Sequence, residues 1–174
     1  MIILGVDPGA NAGLALIDTV IVRPTVAEIL SGKFKVALPT VTRAETVKGI
    51  DAKKPLPPIV CEMIAACDVI AGEAITEVYS RARFGASMAK HMIAGEGGLA
   101  AMLEFARAHG KGVETFAAGE VRKGLFGSAR APDFRIMKMT PLIARVDGIR
   151  LNAHKRDAIA VAVYCARVIA RRVK

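Results

Sequence analysis

The stretch IILGVDPGANAGLALID at residues 2–18 constrains the fold more than any other part of the chain. An apolar run, 2–6, ends on Asp7, enters a Pro-Gly turn, and is followed within a few residues by a second apolar run, 14–17. Two short apolar runs around a Gly/Pro/Asn turn predict the paired strands of an antiparallel hairpin. An aspartate at the end of a central strand faces the open edge of its sheet, where side chains from neighbouring elements converge. Asp-Pro-Gly is also a good turn sequence in its own right. Asp7 therefore needs company before it counts as a site residue.

The remaining elements alternate. A third strand is expected at 34–38, ending at Pro39, and a short helical insert at 26–30. Pro57 and Pro58 suit a first helical turn, and Ile59, Met63 and Ala66 follow at helical spacing, which predicts a helix over 57–67. Residues 69–73 read as a short buried strand. A polar, basic and aromatic arm follows, leading into a helix over 88–109 that Gly110 stops. Its centre, AGEGGLAA, is rich in small residues. Interior glycines cost about 1 kcal/mol each relative to alanine, so close packing against a sheet or a partner helix is expected there. A fifth strand at 113–116 and helices over 120–125, 134–146 and 154–173 complete the chain. A strand pair first, then helices alternating with strands, predicts an α/β fold with a mixed sheet and helices on its faces.

Length and composition narrow the class. The 174 residues suit one domain. Although 53% of them are hydrophobic, Lys and Arg break up every run that approaches membrane-spanning length. No signal-peptide pattern opens the chain. Cys61, Cys67 and Cys165 form no metal-binding cluster, and their odd number argues against a disulfide framework. A cytoplasmic protein with reduced core thiols is expected. The formal charge of +9 is spread along the chain and suits a polyanionic partner, without by itself separating a nucleic-acid binder from a merely basic protein.

Chemistry is carried by a few acids. In LNAHKRDAIAVAVYCARVIA, His154 and Asp157 stand three apart on a helix whose apolar stripe runs on through Val161, Tyr164 and Val168. Burying both groups there needs a compensating partner, and a divalent cation is one candidate. Pairing with the helix dipole is the plainer reading. A third acid is sought mid-chain, among Glu62, Glu73 and Glu77. Glu73 is chosen because it ends its strand, from where a carboxylate can reach toward Asp7; Glu62 suits a solvated helix position and Glu77 a surface charge.

These motifs resemble the RuvC family of Holliday-junction resolvases, in the RNase H-like superfamily. GVDPGANAGLALID resembles its opening hairpin and DVIAGE its fourth strand with the metal-binding glutamate. AGEGGLAAMLEFARAHG resembles the long helix that follows, and HKRDAIAVA the final catalytic helix. Order and spacing agree along the chain, most nearly with the compact phage and bacterial members, where a short LPTV-like strand such as 38–41 precedes the first helix. Residues 19–33 are longer than a hairpin return needs, and the region between Glu73 and Ser87 aligns only with a gap, which keeps Glu77 beside Glu73 as a candidate. The last helix bears His-x-x-Asp where many members carry two aspartates.

The resemblance implies an RNase H-like fold over 1–174: a mixed five-stranded sheet with helices on both faces. It implies two Mg²⁺ ions, with Mn²⁺ able to substitute, bridged by Asp7, one held by Glu73 and the other by Asp157 with His154. Such a pair activates water for in-line attack on a phosphodiester and leaves 5′-phosphate and 3′-hydroxyl ends. The implied substrate is branched DNA, a four-way junction, cut by a homodimer in paired symmetric nicks; neither a membrane nor a small-molecule substrate is implied. Tyr79, Arg81, Arg83 and Phe84 on the arm would enter the junction, by phosphate contact and base stacking. Lys90, Lys111, Arg122, Lys123 and Arg130 are further candidates for backbone contact. The AGEGGLAA face is the candidate dimer interface, its own sheet being the alternative. A ribonuclease H acting on hybrids and a non-catalytic DNA-binding dimer are the competing readings. A sugar-kinase-like phosphate binder would need a second domain.

Overall fold

The computed structural model describes residues 1–19, 38–74 and 86–172. Strand β1 (Ile2–Asp7) pairs antiparallel with β2 (Asn11–Asp18), and β2 with β3 (Thr40–Lys48). On its other side β1 pairs in parallel with β4 (Val69–Ala74), and β4 with β5 (Gly112–Ala117). The sheet order is β3-β2-β1-β4-β5, so the strand that begins the sequence lies at the centre. Five helices are described: α1 (Pro58–Ala66), α2 (Ala86–Ala108), α3 (Ala118–Phe126), α4 (Asp133–Ile143) and α5 (Ala153–Arg172).

The strand period of two sorts the core into two layers. Leu4, Val6, Leu14, Leu16 and Ile70 point to one face, where Val60, Met63 and Ile64 of α1 and Leu99, Met102 and Leu103 of α2 cover them. Ile3, Ala15, Ile17, Ala71 and Phe116 point to the other, onto α5, with α3 and α4 outside it. Residues 158–163 of α5 are all buried, because sheet and helices enclose this helix from both sides. Small residues let it come close. A Cβ on Gly5 of β1 would stand 2.0 Å from the Ala158 carbonyl oxygen. The expected mixed sheet with helices on both faces is the observed one.

The third described strand, β3, starts after Pro39, at Thr40; residues 20–37, with the expected helical insert and most of the expected 34–38 strand, lie outside the described residues. Its charges, Arg43, Glu45 and Lys48, hid it from an apolar-run reading, and a register shift opposite Leu16 and Ile17 breaks its alternation. As an edge strand it gains from charge, which discourages pairing with other chains. The glycine-rich centre of α2 meets its own chain. A Cβ on Gly95 would lie 3.0 Å from the Gly9 backbone, and one on Gly98 would lie 2.9 Å from the Ile50 carbonyl oxygen. These glycines let α2 lie against the turn after Asp7.

The three cysteines are free. Burial pushes the Cys67 thiol up to about 11 and that of Cys165 to about 12, so both stay protonated and pack as small apolar groups. No helix among the described residues is long and apolar enough to cross a membrane.

Candidate active site at the open edge of the sheet

Asp7 is the last residue of β1, and Glu73 the last but one of β4. The two strands run parallel with Val6 opposite Gly72. One residue further along each come Asp7 and Glu73, on the face that α5 covers. Glu73 also stands opposite Phe116 of β5, which belongs to the core layer on that face. Strand pairing alone thus sets two carboxylates side by side at the end of a central parallel pair.

The first turn of α5 supplies the other two groups. Gly13 of β2, which pairs with Asp7 across the hairpin, has the His154 carbonyl oxygen only 2.1 Å from where a Cβ would stand. This close approach lays the start of α5 over the end of the hairpin. His154 Nδ1 consequently lies 2.9 Å from Asp7 Oδ2. An ionised carboxylate can only accept, so Nδ1 donates and Nε2 is the ring nitrogen left over. Asp157 follows one turn later on the same side.

The electrostatics are those of acids crowded away from water. Burial pushes the Asp7 carboxyl up from an ordinary 3.8 to about 6, against the opposing hydrogen bond from His154, and Asp157 adds to the rise. Burial, followed by the charges of Asp7 and Asp157, pushes Glu73 up to about 7. Burial raises Asp157 as well, against the pull of Arg122. That guanidinium, on α3, favours the ionised form of all three acids. Its Nη1 donates to the Ala131 carbonyl at 3.1 Å and its Nη2 lies 3.7 Å from Asp133.

Among the described residues no three His, Cys, Asp or Glu groups close into a ready-made metal cage. The donor chemistry nevertheless fits a hard divalent cation, with three carboxylates and one imidazole at one sheet edge. Their mutual repulsion is what such an ion would relieve.

The expected residues separate clearly. Asp7, Glu73, His154 and Asp157 come together. Glu62 does not: it is exposed on α1, across the sheet, and pairs with Arg43 at 3.4 Å. Glu77, Tyr79, Arg81, Arg83 and Phe84 lie outside the described residues, and Lys90 falls in the first turns of α2. Lys111 donates to the Ala65 carbonyl at 2.8 Å, at the end of α1, where a cation suits the helix C-terminus. Lys123 and Arg130 are exposed. Sequence reasoning missed Asp133 and Phe134, at the start of α4. Their only signal was an acidic-aromatic pair just after Pro132, at a helix start.

Comparison with solved structures bears on this arrangement. A Thermus thermophilus RuvC structure matches with a TM-score of 0.62 at 18% identity, over 99% of this chain and 96% of that one. T. thermophilus RuvC in complex with Holliday junction substrate matches with a TM-score of 0.70 at 19% identity, over the same shares. The fold is that of RuvC. The RNase H-like architecture implied by the motifs is therefore the one the chain adopts. No protein-family model matches the chain, and neither does any curated protein.

A carboxyl group whose affinity for its proton is raised by folding stabilises the fold at low pH. That contribution is complete below the unfolded value and is lost as pH rises through the folded one. For Glu73 the window runs from an ordinary 4.5 to about 7. In EDTA, Glu73→Gln is expected to melt with the wild type at pH 4 and several degrees above it at pH 8, as followed by circular dichroism. Equal melting at pH 8 would show that Glu73 is not under the strain described.

Proposed function

We propose that this chain is a metal-dependent, structure-selective endodeoxyribonuclease that resolves Holliday junctions or other branched DNA. The observation that carries this reading is the gathering of Asp7, Glu73, His154 and Asp157 at one sheet edge, on the fold of an enzyme solved with a Holliday junction substrate. Asp7, Glu73 and Asp157 would hold Mg²⁺, or Mn²⁺ in its place, with His154 completing the donor set. Such an ion would supply activation of a water and charge stabilisation at the leaving 3′ oxygen, chemistry that leaves 5′-phosphate and 3′-hydroxyl ends. The chain's own contribution is orientation. β1 and β4 fix two carboxylates, Gly13 brings α5 down onto them, and the His154–Asp7 hydrogen bond sets the imidazole ring. Arg122 offsets part of the negative charge that would otherwise repel a phosphate.

The net charge of +9 suits a DNA partner, with Arg122 and Lys123 beside the site and the arm at 79–84 as further contacts. A two-fold homodimer would present two such sites for paired nicks.

The test is cleavage of matched four-way junction, linear duplex and RNA–DNA hybrid, each with Mg²⁺ and with EDTA. Paired symmetric nicks confined to the junction and lost in EDTA are expected. Cutting of the hybrid instead would make the protein a ribonuclease H, and binding without any cut would leave the acids without the role given them.

A further inference from the structure

A cleft of about 300 Å³ opens between α4 and the first turn of α5. Phe134, Ile136, Met137 and Ala153 form its apolar walls, and Asp133, Arg156 and Asp157 complete it. Two of these residues are conspicuous. Phe134 is 62% exposed and Met137 47%, although each is large and apolar. Isolated exposed apolar residues are ordinary, but here the aromatic ring lines a cavity that shares Asp157 with the acid cluster. The cleft is therefore continuous with the place where a phosphodiester would be cut.

We propose that this cleft receives one unpaired base of the DNA substrate, from the nucleotides at the branch point, with the Phe134 ring as its stacking face. The proposal rests on the nuclease reading above and extends it to how the substrate is seated. The volume is at the lower limit for ligand pockets and suits a single planar base rather than a duplex. An aromatic face accepts any base without regard to sequence. The charges nearby match a nucleotide: Arg156 lines the cleft, and Arg135 and Lys138 are exposed on α4, placed for phosphates on either side. Of the two acids, Asp133 already faces Arg122 at 3.7 Å, and Asp157 belongs to the acid cluster. Arg122 also donates to the Ala131 carbonyl just before α4 at 3.1 Å, so Phe134 is carried on an element that meets the residues of the site. Base stacking here would hold the strand open beside the acids, as a junction core with unpaired bases permits and a continuous duplex does not.

The test is a binding scan in EDTA, which needs no catalysis. Four-way junctions carry an abasic residue at each nucleotide within a few positions of the branch point, and each is titrated with the full-length wild type, Phe134→Ala and Phe134→Tyr. At one position the wild type is expected to bind the intact junction about tenfold more tightly than the abasic one. Phe134→Ala should bind both equally, at the weaker affinity, and Phe134→Tyr should restore the difference. Phe134 is exposed, so neither variant should alter folding. Equal losses for Phe134→Ala on intact and abasic junctions, no loss on either, or a changed oligomeric state in sedimentation would each overturn the proposal. Junction cleavage by a wild type whose binding ignores Phe134 overturns this inference alone. A wild type that binds no branched DNA overturns the nuclease reading with it.

Discussion

Replacing Asp7 by asparagine is expected to reduce strand cleavage about a thousandfold or more while leaving junction binding and the fold intact. The side chain is the meeting point of the cluster: it lies beside Glu73 through strand pairing and accepts the His154 hydrogen bond at 2.9 Å. Asparagine keeps that shape, and its carbonyl oxygen can still accept from Nδ1. What it loses is the negative charge that a divalent cation requires. Metal assistance supplies several kcal/mol of transition-state stabilisation, and at about 1.4 kcal/mol per tenfold in rate its loss reaches the thousandfold range. The fold should not suffer. The native Asp7 carboxyl is raised to about 6 chiefly by burial, so its ionised form opposes folding near neutral pH, and a neutral amide removes that cost. Three readouts decide: junction cleavage with Mg²⁺, junction binding in EDTA, and melting temperature in EDTA. Cleavage within tenfold of the wild type would remove Asp7 from the catalytic role. A lower melting temperature would refute the statement that its charge is unfavourable to the fold.

The parts legible in the sequence were those where one local signal sufficed. Alternating apolar runs around Asp-Pro-Gly gave the opening hairpin, and the apolar stripe behind His154 and Asp157 gave the last helix with its two candidate site residues facing inward. Glu73 was separable from Glu62 because a strand end and a helix interior place a carboxylate differently. In the structure Glu62 is drawn to Arg43 on the other side of the sheet. Signals that depend on tertiary context were not legible. β3 carries charges because it is an edge, and its bulge defeats a period-two pattern. The glycines of α2 announced close packing but not its partner, which is the turn after Asp7. The cleft at Phe134 exists only because α4 lies beside the start of α5, two elements with no shared sequence motif.

Gly13→Ala is expected to cost about 3 kcal/mol of stability and about a hundredfold in cleavage. A methyl group at this position would stand 2.1 Å from the His154 carbonyl oxygen and 3.0 Å from its Cβ. Neither is the free end of a flexible side chain, so the first turn of α5 must move or the sheet must bend. Overpacking of this kind costs about 1–3 kcal/mol, and more where backbone is the obstacle. The displaced turn carries both His154 and Asp157, and Gly13 pairs directly with Asp7 across the hairpin. A shift of about 1 Å there separates the donors from each other, and misplacement of that size costs about a hundredfold in rate. Gly97→Ala is the control. Its methyl would meet only the Ala52 Cβ, at 3.3 Å, on an exposed loop, and alanine favours the helix by about 1 kcal/mol. Its melting temperature should hold or rise, with cleavage unchanged. Assayed well below its melting temperature, Gly13→Ala should still bind the junction in EDTA while cutting it slowly. If it cut at nearly the wild-type rate, the approach of α5 to the hairpin would not be what sets the geometry of the acids.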